Sequence, residues 1–340
     1  MTAMRNSPGR RTWAGQAATL GGAWVLLAWG AWVYARMRGM PEWAAMPVAA
    51  AFLIEIPFYL SPGFRAAREW LAALGKPRAA ALLTASALVP WLVCSLATGQ
   101  ANPLNLFLLL LVAGGVSFWY IALPMASATD ALFLIFIAGV YLSKIFERIY
   151  LSPAPSLPSA AVTTLGHLML IRTAALSILI IRGNVRAEYR FLPRREEWLT
   201  GLRYFAVMLP VIGIVYRALG LVELRRLPVN PALTVLLAIG TFFTMLWVVA
   251  LSEEFFFRGL LQGWLERWTG NDTAALIVAS VVFGCAHLGF HRKFPNWQWA
   301  IIAGILGLFC GAAWRRSRSV QAAMVAHALL VTVWRVFLRS

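Results

Sequence analysis

The stretch Ser252-Glu253-Glu254-Phe255-Phe256-Phe257-Arg258-Gly259 closes an apolar run, Pro231 to Leu251, that is long enough to cross a bilayer. Two adjacent carboxylates and a guanidinium at that depth are costly, and ionisable groups in a span usually mark function. On a helix Glu254 and Arg258 are four residues apart with the acid on the N-terminal side, so they share a face and pair. Glu253 points roughly 100° away from Glu254. It has no counter-ion in the local sequence, which leaves it as the carboxylate free for chemistry. A structural ion pair that locks helices together accounts for Glu254 and Arg258; it does not account for Glu253.

The composition around this stretch excludes a soluble domain. The 340 residues are 61% hydrophobic and 13% charged, where soluble domains carry about a quarter charged. The mean hydropathy is +0.72. The net charge of +17 sits in short clusters between apolar runs. That pattern reads as arginine in cytoplasmic loops and not as a nucleic-acid surface. Cys94, Cys285 and Cys310 all fall in apolar runs with no metal or redox spacing, and they read as buried thiols. The start, Met1 to Gln16, is basic, and the apolar run after it is too long for a signal-peptide core, which predicts a retained first span.

The fold class is therefore all-α, a polytopic transmembrane helix bundle. Apolar runs at 17–35, 44–60, 79–98, 103–124, 129–146, 160–181, 201–220, 232–252, 273–290, 297–313 and 319–338 predict about eleven spans. Basic clusters at Arg5, Arg10 and Arg11, at Arg65 to Arg78, at Arg182 to Arg195 and at Arg315 to Arg318 then fall on one side. This places the N-terminus in the cytoplasm and the chain in a plasma membrane, the inner membrane of a bacterium. Arg36, Arg38, Arg225 and Arg226 fall outside that pattern. Residues 183–200 are the one long polar stretch and read as an interfacial cytoplasmic segment, with Tyr189, Phe191 and Trp198 among the charges. It separates an N-terminal bundle, 1–182, from a second bundle, 201–340, which holds the glutamate pair and three of the four histidines. No internal repeat is visible.

Two further motifs carry titratable groups in the second bundle: Phe283-Gly284-Cys285-Ala286-His287, with His291 beyond it, and Ala326-His327-Ala328. Glu253 lies 17 residues before Gly270 and His287 lies 17 after it. Straight antiparallel helices joined at Gly270-Asn271 would put both about 25 Å from the turn. His327, counted from the Arg315–Arg318 turn, would sit roughly 10 Å lower, within reach if helices tilt or the turns differ in depth. A carboxylate and a histidine at one level in a dry site can activate a water. Either histidine alone also fits as a packing residue bonded across helices, and His291, beside Arg292 and Lys293, reads as interfacial. Glu253, His287 and His327 could instead ligate zinc, although the compact His-Glu-x-x-His signature is absent. His167, Arg172 and Glu55 lie in the first bundle; Arg172 at least must meet a cavity or a partner.

At Glu253-Glu254-x-x-x-Arg258, Phe283-x-x-x-His287 and His327 the chain resembles the CAAX-protease and bacteriocin-processing family, intramembrane glutamic endopeptidases that include the Ras-converting prenyl-protein proteases. The resemblance covers about residues 195 to 340, and Phe257 and Gly259 also fit it. It implies a metal-free hydrolase without cofactor. Glu253 would be the base and His287 its helper in activating water. His327 would belong to the oxyanion hole, with Glu254, Arg258 and Phe283 supporting the site. The family pattern carries Asn or Asp four residues after the last histidine; here that position is Val331. The implied partners are the lipid bilayer and a membrane-associated or secreted protein precursor, with no nucleic acid. Two other readings stay open. One is a catalytically silent scaffold or immunity-type protein on the same fold, which Val331 favours; the other is a transporter, which the missing repeat disfavours.

Overall fold

Asparagine followed by proline, or asparagine alone, opens most of the helices that matter. Asn102 and Asn230 precede Pro103 and Pro231, and their side chains accept from the backbone N–H of Asn105 and Ala232. Asn271, Asn296 and Ser319 do the same for Thr273 and Ala274, Trp299, and Gln321. Each supplies an acceptor for a helix-end donor that has no intrahelical partner, and proline suits the first helical position because its missing N–H is not needed there.

The computed structural model describes residues 24–338 apart from 26, 184–187, 222, 226, 228–229 and 291–293. The basic N-terminal cluster, residues 17–23 and 26 of the first predicted span, Arg226 and His291 lie outside the described residues. Among the described residues there is no strand, only an isolated bridge between Leu224 and Leu338. Eight helices among the described residues are long and apolar enough to cross a membrane, and Ser127–Leu142 and Asp272–Ala286 are shorter apolar helices. The protein is an all-α polytopic membrane protein. Prolines 57, 90 and 210 stand inside helices, as spans tolerate.

The helices divide into two compact units, 1–124 with 135–181, and 125–134 with 182–340. The first contains α1 (Glu42–Leu60), α2 (Lys76–Ala97), α3 (Pro103–Ala122) and α5 (Ser159–Leu176). The helix α4 (Ser127–Leu142) contributes to both. Inside the first unit the charges that the sequence left without partners meet each other. Arg172 is buried on α5 and its Nε and Nη2 donate to the two oxygens of Glu55 on α1; Nη1 and Nη2 donate to the hydroxyl and carbonyl of Ser86. The guanidinium also stacks on Phe58 at 4.9 Å. His167 lies between the rings of Tyr141 and Phe146, each 5.1 Å away.

The second unit is built from α6 (Arg195–Ala218), α7 (Pro231–Thr269), α8 (Asp272–Ala286), α9 (Trp297–Ser317) and α10 (Val320–Phe337). Helix α10 packs against α6, α7 and α9, and every residue from Val320 to Ala328 is buried. Small residues permit the close approaches. A Cβ on Gly201 of α6 would lie 2.6 Å from Val325, and one on Gly284 of α8 would lie 2.6 Å from the carbonyl of Ala300 on α9. Between α7 and α8 the turn falls where the sequence places it. Gly270 ends α7 in the left-handed region at φ +65°, and Asn271 caps α8.

Ahead of α6, residues 188–194 fold back onto the unit. Tyr189 is buried with its ring 5.0 Å from that of Phe255 on α7, and the carbonyl of Phe191 accepts from Trp247. Gln321 donates to the carbonyls of Glu188 and Arg190, and Glu197 accepts from the Arg194 amide and from Ser319. Tyr189 and Phe191 therefore serve α7 as packing and hydrogen-bond partners.

Candidate active site

Helix α7 changes its winding around the two glutamates. Met245–Ala250 and Phe255–Gln262 are π-helical, and the single α-turn Leu251–Glu254 lies between them. Such local widening of a helix occurs frequently at functional sites. It still leaves Glu254 and Arg258 as partners: Arg258 Nε is 3.0 Å from Glu254 Oε2, and both side chains are buried. Arg258 also lies flat over the Phe283 ring at 4.5 Å and directs Nη2 at the carbonyl of Gly307 on α9, at 3.4 Å.

The other oxygen of Glu254 meets α10. His327 Nδ1 donates to Glu254 Oε1 at 2.7 Å, and the imidazole is buried. Because the carboxylate can only accept when ionised, this bond fixes the proton on Nδ1. The opposite nitrogen, Nε2, is then aimed at Glu253, whose Oε2 is 3.9 Å away. Glu253 is the more open of the two acids, at 31% side-chain exposure. Its Oε2 is nevertheless a buried atom with no hydrogen-bond partner among the described residues.

His287 arrives by a different route. Helix α8 ends at Ala286, short of the run predicted to 290, and His287 is its C-cap with φ −96° and ψ 3°. Its Nδ1 is 2.8 Å from the carbonyl of Phe283, so Nδ1 is the donor and Nε2 is left to accept. The loop that follows is held by Asn296, whose backbone N–H donates to Leu288 and whose side chain donates to Phe290. Phe283 is the common contact of the site. Its ring centre is 4.8 Å from those of His287 and Phe257 and 6.0 Å from that of His327, with Arg258 stacked on it.

His327, counted about 10 Å lower, is the histidine that touches the glutamates. No hydrogen bond or ion pair joins Glu253 to His287 among the described residues. The residue count from Gly270 assumed uniform α-helix, whereas α7 is π-helical on both sides of Leu251–Glu254 and α8 ends at Ala286. The cysteines also divide. Cys94 and Cys310 are buried, whereas Cys285 is exposed.

The suggested zinc set of Glu253, His287 and His327 is not gathered at one point. The group whose ligand atoms all lie within 4.8 Å of one another is Glu254, Cys310 and His327. The donors in it are already engaged: Glu254 by Arg258 and His327, and Cys310 by the carbonyl of Ala323 at 3.7 Å. Gly307 and Asn296 were not singled out in the sequence, and Cys310 was read there only as a buried thiol. Nothing in their local pattern marks them, since each matters through contacts on another helix or loop. Thr332, a candidate to replace the missing Asn or Asp at Val331, is buried and its hydroxyl donates to the Ala328 carbonyl at 2.6 Å.

An all-α membrane bundle that gathers two acids, an arginine and two histidines around one buried phenylalanine defines an intramembrane site of ionisable groups. Residues 235–333, which include all six of the residues named for the site, match the family model described as Type II CAAX prenyl endopeptidase Rce1-like. The match spans less than a third of the chain and is consistent with the CAAX-protease family. No curated protein and no solved structure matches the chain.

Proposed function

We propose that the protein is an intramembrane endopeptidase that hydrolyses a peptide bond of a membrane-associated or secreted protein precursor through a glutamate-activated water. The observation that carries this reading is the asymmetry of the two glutamates. Glu254 is ion-paired to Arg258 and hydrogen-bonded to His327, while the adjacent, more open Glu253 meets only His327 Nε2, at 3.9 Å. The family match over residues 235–333 supports the hydrolase class.

In this mechanism Glu253 takes a proton from water as the oxygen attacks the scissile carbonyl. His287 Nε2 accepts the second O–H and orients the water. Protonated His327, held through Nδ1 by Glu254, directs Nε2–H at the developing oxyanion. Collapse of the tetrahedral species breaks the C–N bond, and Glu253 returns its proton to the leaving amine. Arg258 holds Glu254 in place, and Phe283 packs against both imidazoles. No metal is assigned a role. The working location is a plasma membrane, with the substrate presented from the bilayer.

The test is Glu253→Gln in the native cell, with proteomic comparison of protein termini. The expected result is loss of a terminus present with the parent, while the variant stays in the membrane at parental abundance. A scaffold, the reading that Val331 favours, predicts no lost terminus and an unchanged biological role. Retained cleavage by the variant would remove Glu253 as base.

A further inference from the structure

Two arginines stand apart from both the site and the positive-inside pattern. Arg225, in the connection between α6 and α7, was one of its exceptions. Arg335 lies at the end of α10 opposite Arg315, Arg316 and Arg318. The structure fixes them side by side. Arg225 Nη1 donates to the carbonyl of Arg335 at 2.9 Å, the Arg225 amide donates to Phe337 at 2.9 Å, and Leu224 bridges to Leu338. Both are exposed, and neither forms an ion pair among the described residues, although Glu223 is two positions from Arg225. Neighbouring guanidiniums without an acid create a local positive field, and their planar donors match phosphate.

They rim a groove between α7 and α10 with a cavity volume of about 660 Å³, within the usual range for ligand sites. Leu237, Thr244 and Met245 form one wall, Trp334 the other, and Phe290 closes the end. No acidic side chain lines it. The wall belongs to a part of α7 that the protein covers poorly. Pro231–Thr244 has no buried residue, whereas Met245 and Leu246, the next residues on the way to Glu253, are buried.

We propose that this groove is a site for one anionic phospholipid, with its phosphodiester between Arg225 and Arg335 and an acyl chain along Leu237 to Met245. A zwitterionic lipid is the poorer fit, because its ammonium would meet two cations and no carboxylate. The lipid covers the bare side of the helix that leads into the glutamate pair. The inference does not depend on the proteolytic reading.

The full chain in detergent micelles is titrated with dioleoyl phosphatidylglycerol, dioleoyl phosphatidylcholine or inorganic phosphate, and bound species are counted by native mass spectrometry. Each basic residue near a membrane surface contributes about fivefold to binding an anionic lipid, so Arg225→Gln with Arg335→Gln should weaken phosphatidylglycerol roughly thirtyfold. The corresponding double lysine variant should stay near the parent. Leu237→Trp, which fills the groove and leaves both charges, should also weaken it. Four results would overturn the proposal. They are equal phosphatidylglycerol uptake by parent and glutamine variant, equal uptake of the two lipids, displacement of the lipid by inorganic phosphate, and a raised KM for an acidic substrate with lipid uptake unchanged. The last would make the groove a docking site for substrate.

Discussion

Replacing Arg258 by alanine should cost more than any other single change at the site. The guanidinium is 1% exposed and neutralises a carboxylate that is 0% exposed, 3.0 Å away. It also caps the Gly307 carbonyl and covers the Phe283 ring. Breaking a buried pair on one side strands the other charge, at about 3–5 kcal/mol in soluble proteins. His327 offsets part of this because it still donates to Glu254, which argues for the lower half of that range. With roughly 2–4 °C per kcal/mol for a unit of this size, the melting temperature should fall by about 6–16 °C. The assay is thermal unfolding of purified variants in one detergent, arranged as a cycle of Arg258→Ala, Glu254→Gln and the double variant. The double variant should be more stable than Arg258→Ala alone, because it removes the stranded charge. If Arg258→Ala melted like the parent, or if adding Glu254→Gln gave nothing back, the pair would not be the buried, mutually dependent unit described.

Two further outcomes bear on the mechanism. His327→Ala should lower cleavage strongly, while Val331→Asn should keep or raise it, since a lost oxyanion donor costs about 10²–10³ in rate in well-studied proteases and Thr332 has its hydroxyl committed to Ala328; cleavage of a native substrate by purified variants decides this, and a fully active His327→Ala with an inert Val331→Asn would remove α10 from the chemistry. Chelators should leave activity unchanged; inhibition by a chelator and recovery with zinc would move the mechanism to metal-assisted hydrolysis, with Glu254, Cys310 and His327 as the first ligands to test.

What could be read from the sequence was local. The span pattern, the turn at Gly270-Asn271 and the Glu254–Arg258 pair depend on residues within one helix or one connection, and helical periodicity is enough to find them. Contacts made across helices were out of reach. His327 joins Glu254 over 73 residues, and Arg172 joins Glu55 over 117. For Arg172 the sequence showed that a buried charge required a partner without showing which one; for Glu254 it showed Arg258 and not the second partner, His327. Depth was a third kind of quantity, legible only if helices were uniform. The π-helical winding on both sides of Leu251–Glu254 and the end of α8 at Ala286 broke that assumption. Neither has a strong local signal: Met245–Ala250 is ordinary apolar helical sequence, and in Phe255–Gln262 Arg258, Gly259 and Gln262 stand among apolar residues that suit an α-helix equally well.

The adjacency of the glutamates has a consequence for how such a site is assembled in a membrane. Neighbouring residues on a helix point in different directions, so one acid turns inward to Arg258 and His327 while the other stays at the edge of the core. The inward acid holds the Nδ1 proton of His327, and this directs Nε2 of the same ring toward the outward acid. A ligand-orienting carboxylate behind a histidine is a recurrent device in hydrolases, where it fixes tautomer and ring orientation. Here the orienting acid and the proposed base are consecutive in the chain. The backbone between them therefore sets the spacing of the base and the histidine, and the position of α10 is tied directly to the winding of α7. In the proposed mechanism Glu254 is accordingly a positioning residue: it acts on the reaction through His327, and its own charge is carried by Arg258.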